Sequence, residues 1–398
     1  MQYLSADCIL PVSGAPIYNE VLVLNDAGTV EGIYKKNQIP NAPSEIRHFN
    51  GLLCPGFVNT HCHLELSWAK GLLSAGEGLS KFIWQLEKYK KSVSEKYILR
   101  SIETAAYHMA ASGVVATGDI ANGKNTLRYK QLSKQYFHTF IEIFGSDPSA
   151  AGAIFEQALE LKTLFESQTA GKSSIVPHSA YSLSAQLFAY FSNLTNTEIL
   201  SIHHQENEDE NLFFQDGSGP ISARRKAFNP DLEEFKGTGK RPLESIAQNF
   251  SREQKILLVH NTVTQHKDIE YAKTYFKNAY WCFCPNANLF IENALPDIPL
   301  FQKSGCKITL GTDSLASNSS LSILDEMKTI QRNFESITLQ ELIGWASLNG
   351  AEFLGIASQL GSFEKGKTPG VVLIENMDIE NLKLKPESTS RLLIGASI

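Results

Sequence analysis

From about residue 51 onward, short apolar runs alternate with longer amphipathic segments. The segments at residues 98–113 and 153–167 carry apolar residues at helical spacing. This alternation indicates parallel strands joined by crossover helices, and eight such units predict a (β/α)8 TIM-type barrel. The eight apolar runs lie at residues 52–58, 113–120, 138–145, 173–178, 198–204, 255–261, 279–285 and 307–313.

The two ends of the chain show a different pattern. Residues 1–50 alternate apolar and polar positions and turn often, which is typical of short antiparallel strands. The region from about residue 360 returns to short strands and turns. We therefore expect an α/β protein in which residues 1–50 and 360–398 form one small β-sandwich-like domain, beside a barrel of residues 51–359.

One segment, residues 207–246, is too long and too charged for a simple loop between a strand and a helix. It follows the fifth predicted barrel strand, on the face where barrel enzymes carry their active sites. A lid over a substrate is one interpretation, and a solvated insertion is the other.

Composition excludes several classes of protein. A net charge of −6 over 398 residues argues against a nucleic-acid binder, which needs a basic surface. No apolar stretch is long enough for a transmembrane helix, and no signal peptide is evident, so a cytoplasmic protein is expected. The six cysteines form no paired framework and are interpreted as reduced thiols.

The chemistry concentrates where the predicted strands end. Five of the ten histidines and one aspartate occupy such positions, and the carboxyl ends of barrel strands face the active site. Burial of so many polar groups without a purpose would cost free energy at each position. The residues are His61, His63, His178, His203, His260 and Asp313.

A metal site explains this pattern. His61 and His63 lie two residues apart, so on one strand they point to the same side and can bind one ion. Three neutral imidazoles and a carboxylate suit Zn²⁺, with Fe²⁺ as the alternative, and such an ion activates water. The predicted ligands are His61, His63, His203 and Asp313. His204 is the alternative to His203. Adjacent strand residues face opposite ways, so only one of the two histidines can point at the ion.

The motifs resemble a known family. The segments PGFVNTHCHLE, PHSAYSLS, HHQE, VHNT, CPNAN and GTDSLASNSSLSILDEM resemble, in the same order, those of the amidohydrolase superfamily and its mononuclear deaminase branch. The segment ASLNGAEFLGIASQLGSFEKGK is similar to the C-terminal signature of that family. The Ala-Asp that usually follows is replaced by Thr368, Pro369 and Gly370.

The resemblance implies roles for individual residues. His203 and Glu206 match a His-x-x-Glu pattern in which the histidine binds metal and the glutamate transfers protons, which favours His203 over His204. His260 resembles the histidine that helps to deprotonate the attacking water, together with Asp313. His178, which stands where a two-metal site would place a modified lysine, implies a single ion and a position near the substrate.

The remaining expectations concern the substrate. Glu65 is either a substrate contact or a buried partner of a ligand histidine, and Trp68 is expected to pack on a flat heterocycle. The resemblance implies hydrolytic deamination of a small heterocyclic molecule, preferably a purine nucleoside of the aminofutalosine or adenosine type, although guanine, pterin and triazine remain open. The alternatives are a cyclic amidohydrolase, a chlorohydrolase, or a metal-binding pseudoenzyme or sensor, against which Glu206 argues. A homodimer is the oligomeric state considered.

Overall fold

The structure is a computed structural model that describes residues 1–39, 46–195, 198–228 and 233–397. No helix in these ranges is both long and apolar enough to span a bilayer. The strands are β1 (Gln2–Ile9), β2 (Glu20–Leu24), β3 (Val30–Lys35), β4 (Arg47–Pro55), β5 (Phe57–Cys62), β6 (Val114–Ala121), β7 (Tyr136–Ile143), β8 (Ser173–Pro177), β9 (Leu200–His204), β10 (Lys255–His260), β11 (Asn278–Phe283), β12 (Lys307–Leu310), β13 (Val371–Glu375) and β14 (Thr389–Ile394).

Helices separate most strands of the central part of the chain, as the alternation predicts. The helices are α1 (Leu79–Lys90), α2 (Glu95–Ala111), α3 (Leu127–Leu132), α4 (Ala151–Gln168), α5 (Ala185–Ala189), α6 (Glu208–Asp216), α7 (Gly219–Phe228), α8 (Pro242–Ile246), α9 (His266–Tyr275), α10 (Pro285–Glu292), α11 (Ile298–Lys303), α12 (Ile323–Asn333), α13 (Leu339–Ala346) and α14 (Leu348–Leu354).

The eight apolar runs match the eight strands β5 to β12. These strands form two four-stranded sheets in sequence order, β5 to β8 and β9 to β12. Every pairing within the two sheets is parallel. All residues of β6 are buried, as expected for a parallel strand that is covered on both faces. The α/β class is therefore confirmed.

The two parallel sheets meet at the carboxyl ends of their edge strands. On one side the backbone N–H of His203 donates to the carbonyl of His178 at 2.9 Å. On the other side Cys62 and Asp313 form an isolated parallel bridge. The described strands thus show two sheets linked at isolated bridges rather than one continuous ladder. Two features limit the hydrogen bonding between the two sheets. Pro177, at the end of β8, has no N–H to donate, and β12 has only four residues. Closure into one barrel stays a prediction.

Strands from both chain ends share one six-stranded sheet, in the order β14-β13-β4-β1-β2-β3. The C-terminal strand β13 pairs antiparallel with β4, so that Val371 lies opposite Pro55. The structure describes one sheet here, and the second layer of a sandwich-like arrangement stays a prediction. The run at residues 52–58 is divided, because residues up to Pro55 belong to this sheet and β5 begins at Phe57.

Gly56 is the junction between the terminal sheet and the first parallel strand. A Cβ atom at this position would lie 2.5 Å from Val115 Cγ1 and 2.6 Å from the Pro369 carbonyl oxygen. The backbone N–H of Gly56 donates to that same carbonyl at 3.1 Å. The two parts of the fold are therefore packed too closely here for any side chain.

We expect Gly56→Ala to lower the free energy of unfolding by about 1–3 kcal/mol, because the added methyl group overpacks a filled space. Chemical denaturation of the purified variant measures this change. Gly14→Ala is the matched control, since nothing lies within 4 Å of a Cβ there. Equal stability of both variants would contradict this account of the junction.

Candidate active site

Five ionisable side chains converge where the two parallel sheets meet. His61 lies near the end of β5 and His63 follows it, His203 and His260 lie on β9 and β10, and Asp313 follows β12. All five side chains are buried. Parallel strands explain this convergence, since their carboxyl ends lie on one side of the sheet.

The donor atoms of these side chains converge on one point, which we call the focal point. The Nε2 atom of His63 lies 3.2 Å from the Nε2 atoms of both His61 and His203. The Oδ1 atom of Asp313 lies 3.6 Å from His63 Nε2 and 3.8 Å from His61 Nε2. The structure thus brings together the four residues that the sequence predicts as metal ligands.

His260 and Glu206 form the adjacent part of the site. A ring nitrogen of His260 lies within 4.8 Å of donor atoms of His61 and His203, so geometry also admits His260 as a ligand. The Oε1 atom of Glu206 lies 3.8 Å from His260 Nε2. These two side chains therefore border the focal point, at the position expected for groups that transfer protons.

The adjacent histidines His203 and His204 diverge, as strand alternation requires. His204 Nδ1 lies 3.1 Å from the Oδ1 atom of Asn261, on the far side of the strand from His63. His204 belongs to none of the groups of donor atoms found among the described residues. The geometry favours His203 over its rival.

Positive backbone φ angles mark the ends of the active-site strands. The φ angle is 75° at His260 and 54° at Asp313. Residues with a Cβ rarely adopt this region, and each such position costs about 1–3 kcal/mol. The surrounding loops must hold these conformations, which direct the two side chains toward the focal point.

Hydrogen bonds from the following loop hold Asp313. The Ser317 hydroxyl donates to Asp313 Oδ2, which leaves Oδ1 directed at the histidines. Asn318 Nδ2 donates to the Thr312 carbonyl at 3.0 Å and to Glu326 Oε1 at 2.7 Å. The motif residues Ser317 and Asn318 therefore shape this loop.

A buried ion pair supports the segment after His63. Lys130 Nζ lies 2.6 Å from Asp119 Oδ2, and both side chains are fully buried. Asp119 Oδ1 accepts a hydrogen bond from the Leu64 backbone N–H at 2.9 Å. Sequence reasoning missed this pair, although Asp119 also lies at the end of a predicted strand.

Burial sets the protonation states in the site. Removal from water, and then the neighbouring His203, holds the pKa of both His61 and His63 well below the usual range. Burial, followed by the charges of Asp313 and Glu292, raises the pKa of Glu206 well above its usual range. Burial therefore favours the neutral forms of the two imidazoles and the protonated form of Glu206.

A cavity of about 500 Å³ opens onto the focal point. Its inner wall is polar and its outer wall is mainly apolar. The inner wall includes His63, Glu65, Asn122, Glu142, His178, His203, Glu206, His260 and Asp313, and the outer wall includes Leu66, Leu79, Phe82, Ile83, Leu86, Phe144, Ile221 and Ile291.

Two of the predicted substrate contacts, His178 and Glu65, line the cavity. The ring of His178 stacks on that of His203, with centroids 4.6 Å apart, and lines the cavity. Glu65 also lines the cavity and accepts a hydrogen bond from the Asn122 backbone N–H at 3.2 Å. Burial, and then the neighbouring Asp119, raises the pKa of Glu65 to about 8.

Trp68 lies outside the residues that line the cavity. It is 2% exposed and packs in an apolar cluster with Leu73, Phe82 and Ile291. The structure thus places this side chain in the core rather than beside a heterocycle. The physical reason is the 3₁₀ helix Leu64–Ala69, which directs the indole into the packing beneath the outer wall.

Residues from the described part of the segment 207–246 line the cavity. Helix α7 of this segment supplies Arg224 and Arg225 to the cavity wall, and residues 229–232 lie outside the described residues. Arg224 Nη2 donates to Glu87 Oε1 on α1 at 2.9 Å, and Arg225 Nη1 donates to the Tyr181 carbonyl at 2.6 Å. These contacts tie α7 to two other parts of the cavity wall, as a lid requires, and its movement stays a prediction.

Comparison with known proteins identifies the family. Residues 52–390 match the sequence model of the amidohydrolase family, which is more than half of the chain. The protein therefore belongs to the amidohydrolase family, and the predicted membership is confirmed.

Several similar proteins are deaminases. A 5-methylthioadenosine/S-adenosylhomocysteine deaminase of Bacillus cytotoxicus is 24% identical over 365 residues, which cover 87% of this chain and 78% of the relative. An aminodeoxyfutalosine deaminase of Nitratiruptor is 26% identical over 355 residues, covering 87% and 84%. Helicobacter pylori aminofutalosine deaminase in complex with methylthio-coformycin has a similar fold, with a TM-score of 0.83, 21% identity and 99% of each chain covered.

Proposed function

We propose that this protein is a metal-dependent aminohydrolase that deaminates a purine nucleoside. One observation carries the proposal, namely the convergence of three imidazole Nε2 atoms and a carboxylate beside a buried Glu206 whose pKa is raised. The deaminases among the relatives support the same reaction and a substrate built on adenine.

The donor atoms fit one divalent ion. Zn–N bonds of about 2.0–2.1 Å at near-tetrahedral angles place neighbouring donors roughly 3.3 Å apart, and a fifth position remains for the water. The separations of 3.2 Å between histidine nitrogens match this value, and Asp313 Oδ1 lies slightly farther away, at 3.6 Å. We assign His61, His63, His203 and Asp313 as ligands, with Zn²⁺ as the first choice and Fe²⁺ as the second.

The position of His178 favours one ion over two. This residue follows β8, where a bridging modified lysine would have to stand. Its ring stacks on His203 instead and lines the substrate cavity. We therefore assign His178 to the substrate side of the site, together with Glu65.

The side chains then take different roles in the reaction. A divalent ion held by His61, His63, His203 and Asp313 would lower the pKa of a water molecule and so supply a nucleophile near neutral pH. Glu206 donates its proton to the ring nitrogen of the substrate, which makes the amino-bearing carbon more electrophilic. His260 and Asp313 accept one proton of the attacking water. Glu206, now deprotonated, takes the second proton of that water from the new hydroxyl group and passes it to the departing ammonia, and the proton held by His260 and Asp313 then restores Glu206.

We also propose that the two parallel sheets form one (β/α)8 barrel over residues 51–359, with a small β domain made by residues 1–50 and 360–398. The bridges at both sheet junctions support closure. Pairing of β13 with β4 supports the shared terminal domain.

The reaction is tested by ammonia release. We expect the metal-loaded protein to release ammonia from one or more of adenosine, 5-methylthioadenosine, S-adenosylhomocysteine and aminodeoxyfutalosine. A panel that adds guanine, a chlorotriazine and a cyclic amide distinguishes purine nucleoside deamination from the reactions of the other hydrolases of the family. A metal-loaded protein that acts on none of these compounds would instead be a binding protein or sensor.

The metal assignment is tested by two adjacent variants. His203→Ala should lose the ion that the wild type holds at about one per chain, whereas His204→Ala should retain it, because the two rings face opposite sides. Elemental analysis after dialysis measures the occupancy. Retention of the ion by His203→Ala and its loss from His204→Ala would reverse the assignment.

The proton-transfer assignment is tested by Glu206→Gln. This change keeps the size of the side chain and removes its transferable proton. We expect kcat to fall by at least about a hundredfold, the low end of what a positioned acid–base group contributes. Metal content should be unchanged. Loss of the ion would show that Glu206 is a ligand, and a near wild-type kcat would assign proton transfer to another residue.

A further inference from the structure

Glu142 is a buried carboxylate to which the reaction above gives no role. It lies near the carboxyl end of β7 and lines the inner wall of the cavity. Its Oε1 atom is buried and has no hydrogen-bond partner among the described residues. The ring of His203 lies close to that oxygen, with its Nδ1 atom 3.4 Å away.

The two nitrogens of His203 face different surroundings. Nε2 points at His63 Nε2, whereas Nδ1 lies 2.8 Å from the His178 carbonyl oxygen and 3.4 Å from Glu142 Oε1. The His178 carbonyl can only accept a hydrogen bond, so Nδ1 must carry the proton. Nε2 is then left with the lone pair that a metal ligand requires.

The other half of the Glu142 carboxylate is fixed. Asn122 Nδ2 donates to Glu142 Oε2 at 3.0 Å and to the Glu142 backbone carbonyl at 3.1 Å. The backbone N–H of Asn122 donates to Glu65. Asn122 cannot reverse its amide without losing both bonds to Glu142, so Oε1 stays directed toward His203.

We propose that Glu142 is a positioning residue for His203, which holds the Nδ1 side of the ring so that Nε2 faces the ion. The inference rests on the proposed function, since it presupposes that His203 binds a metal. Histidine ligands commonly donate their second N–H to a carbonyl or a carboxylate, which fixes the ring and strengthens the ligand. Here the His178 carbonyl and the Glu142 carboxylate supply both kinds of acceptor.

Glu142→Gln tests this role with little change of shape. If the oxygen of the new amide accepts from Asn122, its NH2 group faces the N–H of His203, and two donors oppose each other. We expect the affinity for Zn²⁺, measured by competition with a chromogenic chelator, to fall about ten- to hundredfold. The melting temperature of the metal-free variant should equal that of the metal-free wild type.

Glu65→Gln is the matched control. Glu65 lies on the same wall and accepts from the same Asn122, but among the described residues its carboxylate forms no hydrogen bond with His203. This variant should bind Zn²⁺ with wild-type affinity. The visible spectrum of the Co²⁺-substituted protein adds a second readout, which should shift at full occupancy in Glu142→Gln and stay unchanged in Glu65→Gln.

Three results would overturn the proposal. Wild-type Zn²⁺ affinity and an unshifted Co²⁺ spectrum in Glu142→Gln would show that the carboxylate does not position His203. A lower melting temperature of the metal-free variant, in step with the loss of affinity, would show a structural role instead. A wild type that binds no divalent metal would refute the proposed function itself, and the role of Glu142 would fall with it.

Discussion

Removal of water from the meeting point of the two sheets is the constraint on which this site depends. Buried ionisable groups avoid their charged forms unless a partner compensates them. The pKa values of His61 and His63 are consequently held low, and the pKa of Glu206 is raised beside Asp313. One physical cause therefore favours neutral imidazoles and a protonated carboxyl group within the same small volume.

The same constraint explains the features around the site. Asp119 is compensated by Lys130 at 2.6 Å, and this pair fixes the backbone immediately after His63. Asp313 accepts from Ser317 and has a positive φ angle. Burial and backbone strain both oppose folding, so the apolar packing of the parallel strands must outweigh them. The function of the site thus depends on the stability of the two sheets that carry it.

The sequence predicts the parts of this structure that follow from periodicity. Eight buried runs identify eight strands, and alternation on a strand separates His203 from His204. The division of the run at residues 52–58 could not be predicted, since an apolar run does not show which sheet receives it. Trp68 was misplaced for a related reason, because an aromatic residue near a site suits a substrate contact and a core position equally well.

The sequence also does not predict hydrogen-bond partners that are distant from each other along the chain. Glu142 lies on β7 and Asn122 directly follows β6, so the two meet only because β6 and β7 are neighbours. Both lie near strand ends, as the recognised ligands do, but neither belongs to a motif with characteristic spacing. Periodicity locates the rim of such a site, whereas the second layer of contacts depends on side-chain directions across several strands. The orientation of a ligand such as His203 is therefore a property of the folded wall, and no short segment of the sequence specifies it.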